Sequence, residues 1–133
     1  MMKKKEPIRY IENAKEILRK SPVEDNYYTD MKYVKTAFGC GYLGVLKAMD
    51  EFLISRGIEK SKLPKKVEEY SKALKKYGGM YNGKLMRQFD ALYDELHIGG
   101  YYRGTLRSVK VVKEALSDAR NFIEKLSSLT KES

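Results

Sequence analysis

The chain has 133 residues, of which 42% are hydrophobic and 34% are charged, and its formal net charge is +9. These values are typical of a single globular domain spanning residues 1–133, and they exclude a disordered chain. No apolar run approaches the roughly 20 residues that a membrane-spanning helix needs. The segment Glu6-Pro7-Ile8-Arg9 stands where a signal peptide would be apolar, so we expect a cytoplasmic protein without membrane contact.

The basic charge raises the question of nucleic-acid binding. In the most basic stretch, residues 56–76, glutamates are interleaved with the basic residues, nearly all of which are lysines. This pattern is typical of a solvated helix face, whereas phosphate recognition favours arginine. Nucleic-acid binding is therefore the less favoured interpretation of this surface.

Hydrophobic periodicity predicts a first helix from Pro7 to Lys20. Pro7 suits a first helical turn, and Ser21-Pro22 ends the pattern. The inward stripe of this helix consists of Ile8, Ile11, Ala14 and Leu18.

The second predicted helix, Met31 to Arg56, is the most apolar part of the chain and should be the centre of a bundle. One face repeats at steps of three and four and consists of Val34, Phe38, Tyr42, Val45, Met49 and Phe52. Beside it runs a line of small residues, which indicates that a neighbouring helix approaches closely: Ala37, Gly41, Gly44 and Ala48. We expect Thr29 or Asp25 to cap this helix and Gly57 to end it.

Three further helices are predicted. A short third helix covers residues 63–77 with Pro64 in its first turn, and a fourth begins near Asn82. Gly99-Gly100 should break the chain after His97, so that the fifth helix runs from Arg103 to Leu129. The expected inward residues are Val67, Tyr70, Leu74 and Tyr77, then Leu85, Phe89, Leu92 and Leu96, then Val109, Val112, Leu116, Ala119 and Ile123. The pattern predicts an all-α fold, an up-and-down four-helix-type bundle with an additional short helix.

The sequence contains few residues that could bind a metal or form a disulfide. His97 is the only histidine and Cys40 the only cysteine, which is too few for a structural zinc site or for a di-iron bundle. No disulfide can form within the chain. We therefore expect no metal and no cofactor.

The residues around the predicted break after His97 are the candidate ligand-binding site. They are His97, Tyr101, Tyr102, Arg103 and Arg107. Arg103, Arg107 and Lys110 have i, i+4, i+7 spacing and would form one basic stripe on a fifth helix that began at Arg103. An imidazole beside guanidiniums and phenols could hold a phosphate-bearing ligand or cleave RNA. The other interpretation is a capping histidine, boundary tyrosines and a solvated basic stripe.

The order of features resembles the HEPN superfamily of small helical bundles, which occur in prokaryotic toxin–antitoxin and nucleotidyltransferase-associated proteins. The similarity lies in residues 10–18, 32–37 and 42–49, and in Ala115, Ala119 and Phe122-Ile123 near the end of the chain. Catalytic HEPN members share an arginine a few residues before a histidine. Here the nearest upstream arginine, Arg87, lies ten residues before His97, so the motif is absent.

The resemblance therefore implies a non-enzymatic binding module that takes a protein partner, a second copy of itself, or an anionic or nucleotide ligand. A nucleotidyltransferase-type protein is the partner that it suggests. The alternative is an RNA-cleaving or nucleotide-handling enzyme with a rearranged site at His97, Arg103 and Arg107.

The tyrosine content predicts self-association. Eleven tyrosines in 133 residues exceed what one core needs, and several fall near predicted helix ends: Tyr27, Tyr28, Tyr81, Tyr101 and Tyr102. Tyrosine suits interfaces because it joins apolar area to a polar tip. We expect a homodimer that buries several of these rings.

Overall fold

The computed structural model of the protein describes residues 6–78 and 83–131. Within them lie five α-helices, α1 Glu6–Arg19, α2 Met31–Ser55, α3 Val67–Tyr77, α4 Lys84–Leu92 and α5 Val109–Lys131. A hairpin (β1 Val23–Glu24, β2 Tyr27–Tyr28) precedes α2, a 3₁₀ turn (Lys60–Lys62) precedes α3, and a π-helix (Tyr93–Arg103) continues α4. The predicted all-α helical bundle is confirmed. None of the helices in the described ranges has the length and apolarity needed to cross a membrane.

Helix α2 is the central element of the bundle, as its pattern predicted. Helices α1 and α5 and the π-helix pack directly against it, whereas α3 packs mainly on α4. The predicted apolar face is buried at Val34, Phe38, Val45, Met49 and Phe52, and Tyr42 is half-buried. All members of the small-residue line are also buried: Ala37, Gly41, Gly44 and Ala48.

A different helix packs closely against each of the two glycines of that line. A Cβ at Gly44 would lie 2.9 Å from both the carbonyl oxygen of Pro7 and the Cβ of Tyr10 on α1. A Cβ at Gly41 would lie 2.9 Å from Cδ2 of Leu116 on α5. At Gly44 the neighbour is backbone, so a larger residue would displace α1, whereas at Gly41 the Leu116 side chain would have to shift. The small-residue line is the surface on which α1 and α5 rest.

Both ends of α2 have identifiable local causes. Asp30 is the N-cap, since its carboxylate accepts a hydrogen bond from the backbone N–H of Lys32 at 3.1 Å. The predicted caps, Thr29 and Asp25, were wrong, because both precede the cap and Asp25 lies in the hairpin turn with a φ of 51°. At the other end Gly57 has a φ of 98°, which confirms it as the left-handed residue that follows the helix.

The hairpin was not predicted, because the sequence pattern contained no strand signal. Its loop residues Asp25 and Asn26 have φ values of 51° and 68°, which suit a two-residue turn whose twist matches the strands. The hairpin also joins the bundle. Tyr28 donates its backbone N–H to the carbonyl of Arg107 at 2.9 Å, and Val109 donates its own to the carbonyl of Asn26 at 3.0 Å.

Helix α3 begins later than predicted. The Glu69 carboxylate accepts hydrogen bonds from the backbone N–H groups of Lys65 and Lys66 at 2.9 and 3.2 Å, so Pro64 precedes the helix and does not lie in its first turn. Tyr70 and Leu74 are buried as predicted, and Val67 and Tyr77 are half-buried. Gly78 is the C-cap of the helix, and Gly79, Tyr81 and Asn82 lie outside the described residues.

The predicted break at Gly99-Gly100 is wrong. The chain stays helical through both glycines to Arg103, and Gly104, with a φ of 64°, ends the π-helix. A Cβ at Gly100 would overlap the ring of Phe38, so this glycine lets the π-helix lie directly on α2. The fifth helix consequently begins at Val109 and not at Arg103.

The inward residues of the last three helical segments follow the predicted pattern with one exception. Leu85, Phe89, Leu92, Leu96, Val112, Leu116, Ala119 and Ile123 are buried, and Val109 is half-buried. The core was therefore predicted more accurately than the bounds of the helices that supply it.

Candidate functional site

The single histidine lies in a cluster of four rings, Tyr42, Tyr93, His97 and Tyr101, which we call the aromatic cluster. The imidazole centroid is 4.9 Å from that of Tyr42, 5.3 Å from that of Tyr93 and 5.7 Å from that of Tyr101. The plane of the imidazole makes an angle of 26° with the ring plane of Tyr93 and of 13° with that of Tyr101, so these rings are stacked. Tyr93, His97 and Tyr101 follow one another at steps of four along the π-helix, and Tyr42 reaches them from α2.

The contacts of His97 within the described residues are with rings and not with charged groups. No carboxylate or guanidinium there forms an ion pair or hydrogen bond with the imidazole. Burial, and then the neighbouring Tyr93, raise the pKa of Tyr42 to about 12, so this phenol stays neutral at physiological pH. A catalytic imidazole is normally oriented by a hydrogen-bonding partner. This cluster offers such a partner only if a phenol supplies it.

The structure does not place the predicted arginines on one helix face. Arg103 is the last residue of the π-helix, Arg107 lies in the connection that follows, and only Lys110 belongs to α5. The predicted i, i+4, i+7 stripe is therefore wrong, because residues 104–108 are not helical. The carbonyl of Arg107 accepts a hydrogen bond from the backbone N–H of Tyr28 in the hairpin, which contributes no ring to the aromatic cluster.

An apolar surface is exposed next to the aromatic cluster. It consists of Leu43, Tyr101 and Tyr102, with exposed fractions of 54%, 47% and 72%, and we call it the exposed aromatic surface. Gly39 relates the residues of this surface on α2 to those on the π-helix. A Cβ at Gly39 would lie 3.1 Å from Cδ1 of Tyr101, and Gly39 is one turn from Leu43 on α2. Of the other tyrosines predicted at an interface, Tyr27 is 55% exposed but Tyr28 is buried in the chain's own core.

A second candidate site is a groove of about 500 Å³ between α1 and α5, with the hairpin at one end. Its floor is apolar and is formed largely by Leu18, Tyr28 and Leu116, which are buried, and by Val109, which is half-buried. Val23 stands at the hairpin end and is 53% exposed. Basic side chains line the walls, Lys15 and Arg19 from α1 and Lys113 and Arg120 from α5. We call this site the basic groove.

The basic groove has no carboxylate among its lining residues. Arg19 is paired with Glu16 and Arg120 with Glu124, the latter at 3.6 Å, and both glutamates lie outside the groove. Lys15 and Lys113 are exposed and form no ion pair with any residue of the described ranges. Their charges are therefore available to a ligand.

This groove was not predicted from the sequence, although its residues have regular spacing. Lys15 and Arg19 are four residues apart on α1, and Lys113, Ser117 and Arg120 have i, i+4, i+7 spacing on α5. Each set lies beside the apolar stripe of its helix. Only the packing of both helices on α2 brings the two sets together, and periodicity within one helix does not report that packing.

Two half-buried carboxyl groups have shifted pKa values. Burial raises the pKa of Asp50, against the lowering effect of the Tyr70 hydroxyl, which donates a hydrogen bond to it at 2.8 Å, and of Lys47. Burial and then the charges of Asp118 and Glu114 raise the pKa of Glu95. Neither carboxyl belongs to the aromatic cluster or to the basic groove.

Comparison with known proteins places the chain in a family. A model described as a domain of unknown function, DUF5618, matches residues 2–128. The chain belongs to the DUF5618 family. It is also similar to a solved structure, a protein of unknown function from Dyadobacter fermentans, at 35% identity and a TM-score of 0.74, with 91% of this chain and 90% of that chain covered. No curated protein matches the chain significantly.

The DUF5618 description names no activity, so the function of this member has to be argued from its side chains. Among the residues that the structure describes, no group of three or more His, Cys, Asp or Glu side chains could hold a metal ion. The two sites with suitable geometry are the exposed aromatic surface and the basic groove.

Proposed function

We propose that this DUF5618 protein is a non-enzymatic, HEPN-like binding module that self-associates through the exposed aromatic surface. The observation that carries the proposal is the position of His97, whose ring is stacked on Tyr93 and Tyr101 and contacts Tyr42. A histidine used as a general acid or base is normally oriented by a hydrogen-bonding group, and the described residues surround this imidazole with rings. The aromatic cluster instead uses this imidazole as a packing group.

The placement of the two candidate arginines supports the same interpretation. RNA cleavage by an Arg–His pair needs the guanidinium to stabilise the charge that develops on phosphate. Arg103 and Arg107 lie in separate segments, and Arg107 is tied to the hairpin through its carbonyl. The arrangement favours binding over catalysis.

Self-association through the exposed aromatic surface follows from its composition. Leu43 and Tyr102 are each more than half exposed, and the ring of Tyr101 is stacked on that of His97. Rigid aromatic side chains contribute strongly to protein interfaces because they bury area at little entropic cost. A second copy of the chain is the partner that we propose, and a nucleotidyltransferase-type protein is the alternative partner for the same surface.

The enzymatic alternative is tested by incubating purified protein with labelled RNA. Wild type, His97→Ala and His97→Phe are compared, since phenylalanine keeps a stacking ring but has no titratable nitrogen. We expect no cleavage by any of the three proteins. Cleavage by the wild type that both variants lose would establish the enzyme and end this proposal.

The proposed homodimer is tested by light scattering at tens of micromolar protein. We expect the mass of a dimer for the wild type and of a monomer for Tyr102→Glu combined with Leu43→Glu, because buried, unpaired like charges oppose association. Lys72→Glu with Lys75→Glu, on the outer face of α3, is the matched control and should remain dimeric. A monomer mass for the wild type would contradict self-association.

A further inference from the structure

We propose that the basic groove between α1 and α5 binds a small amphipathic anion, a carboxylate or phosphate ester that carries an apolar group. The proposal rests on the binding function proposed above and names a ligand class for it. It concerns a site that is separate from the exposed aromatic surface.

The size and lining of the groove suit a small molecule. Its volume of about 500 Å³ lies within the range of ligand pockets, roughly 300–1,000 Å³. Leu18 and Leu116 form the middle of the floor, and Val23 and Tyr28 form its hairpin end. An apolar group placed there would cover Val23, which is 53% exposed.

The charges of the groove specify an anion. Four basic side chains surround the apolar floor and no lining residue is acidic. The guanidiniums of Arg19 and Arg120 already have glutamate partners, so Lys15 and Lys113, one on each wall, are the groups that lack a counter-ion among the described residues. A ligand head group between the walls would receive charge-assisted hydrogen bonds from both helices.

The surroundings of the groove favour a small anion over a nucleic-acid strand. At the end away from the hairpin, the surface continues past Lys15 and Arg19 to Glu12 and Glu16. These carboxylates would repel a phosphate backbone that extended beyond the groove. The hairpin bounds the other end. Glu12 and Glu16 therefore limit the basic surface at that end of the α1–α5 seam.

The experiment is calorimetric titration of the full chain with octyl phosphate and with octanoate, and with inorganic phosphate and octanol as the two halves of the ligand. We expect saturable binding of at least one octyl anion. Inorganic phosphate and octanol should bind at least about tenfold more weakly, since the anionic head group and the apolar tail each contribute to the affinity. Equal affinity for inorganic phosphate would overturn the proposal, because the apolar floor would then play no part.

Variants locate the ligand. Lys15→Gln with Lys113→Gln should weaken octyl-anion binding at least about tenfold, as should Val23→Asp, which places a carboxylate at the apolar end. Lys60→Gln with Lys72→Gln removes the same charge from the exposed surface near α3 and should change the affinity less than about twofold. An unchanged helical circular dichroism spectrum shows that each variant is folded.

Three results would refute this assignment. The first is that neither octyl anion binds, and the second is that the groove variants and the control variant lose the same amount of affinity. The third is that the protein binds only to vesicles that contain anionic lipid. None of them bears on the RNA assay, so the groove can fail while the non-enzymatic function stands. RNA cleavage that depends on His97 would overturn the proposed function whether or not the groove binds a ligand.

Discussion

Glycines in two regions of this protein allow close packing but give opposite impressions in the sequence. Gly41 and Gly44 interrupt a long periodic segment, and their place in the small-residue line correctly predicted close helix packing. Gly99 and Gly100 stand between two shorter segments and were interpreted as a chain break. The structure shows that Gly100 also serves close packing, against the ring of Phe38. A missing side chain reports a close neighbour or a turn, and local sequence does not decide between them.

The largest effect is expected where the π-helix meets α2. Phe38 is fully buried, so Phe38→Ala should lower the free energy of unfolding by about 3–5 kcal/mol. Gly100→Ala should also destabilise the wild type, because its Cβ overlaps this ring. In the Phe38→Ala background the overlap is gone, so adding Gly100→Ala should be neutral or stabilising. Urea denaturation of the four proteins measures the coupling. Additive effects would show that Gly100 is in the helix for another reason.

The second effect tests the other glycine pair. Gly44→Leu should destabilise by roughly 1–3 kcal/mol, because its side chain would enter the space of the Pro7 carbonyl and of Tyr10. Lys47→Leu introduces the same side chain at an exposed position of α2 and should stay within about 0.5 kcal/mol of wild type. Denaturation midpoints of the three proteins are compared. A Gly44→Leu midpoint equal to that of the wild type would mean that α1 does not rest on this residue.

A third, smaller effect separates packing from chemistry in the aromatic cluster. His97→Ala should cost roughly 1 kcal/mol, because it removes the ring contacts with Tyr93 and Tyr101. His97→Phe keeps those contacts and should be close to wild type in thermal unfolding. If the phenylalanine variant were as unstable as the alanine variant, a polar contact of the imidazole would be the stabilising interaction.

The smallest effect is a pH dependence at the α2–α3 contact. Burial raises the pKa of Asp50 in the folded protein, so the folded chain holds this proton over a pH range in which the unfolded chain does not. The contribution of the protonated Asp50 to the free energy of unfolding is present below the unfolded-state pKa and is lost as the pH rises through the folded-state pKa. Asp50→Asn should therefore gain stability relative to wild type between about pH 3 and pH 7. A stability difference that stays constant over this range would argue against the shift.

Much of the fold was predictable from the chain, for reasons that lie in particular residues. Helices α1 and α2 were predicted to within about one residue at each end, because Pro7, Ser21-Pro22 and Gly57 act through local backbone geometry. The buried residues of α4 and α5 were predictable because a stripe of period 3.6 is a local pattern.

The errors concern interactions between distant parts of the chain. The π-helix packs at Gly100 on the ring of Phe38, which lies 62 residues earlier, and no pattern within residues 93–103 reports this contact. The arginine stripe failed because it assumed a helix across residues 104–108. The hairpin was missed because its strands have only two residues each. The basic groove depends on two helices from opposite ends of the chain.

The hairpin has a consequence for the order in which the native structure assembles. Its backbone bonds at Tyr28 and Val109 join segments that are about 80 residues apart, so they cannot form until the last helix has reached α2. The amide protons of these two residues are therefore reporters of the final docking step. In a pulse-labelling hydrogen-exchange experiment they should become protected together, and later than the amides in the middle of α2.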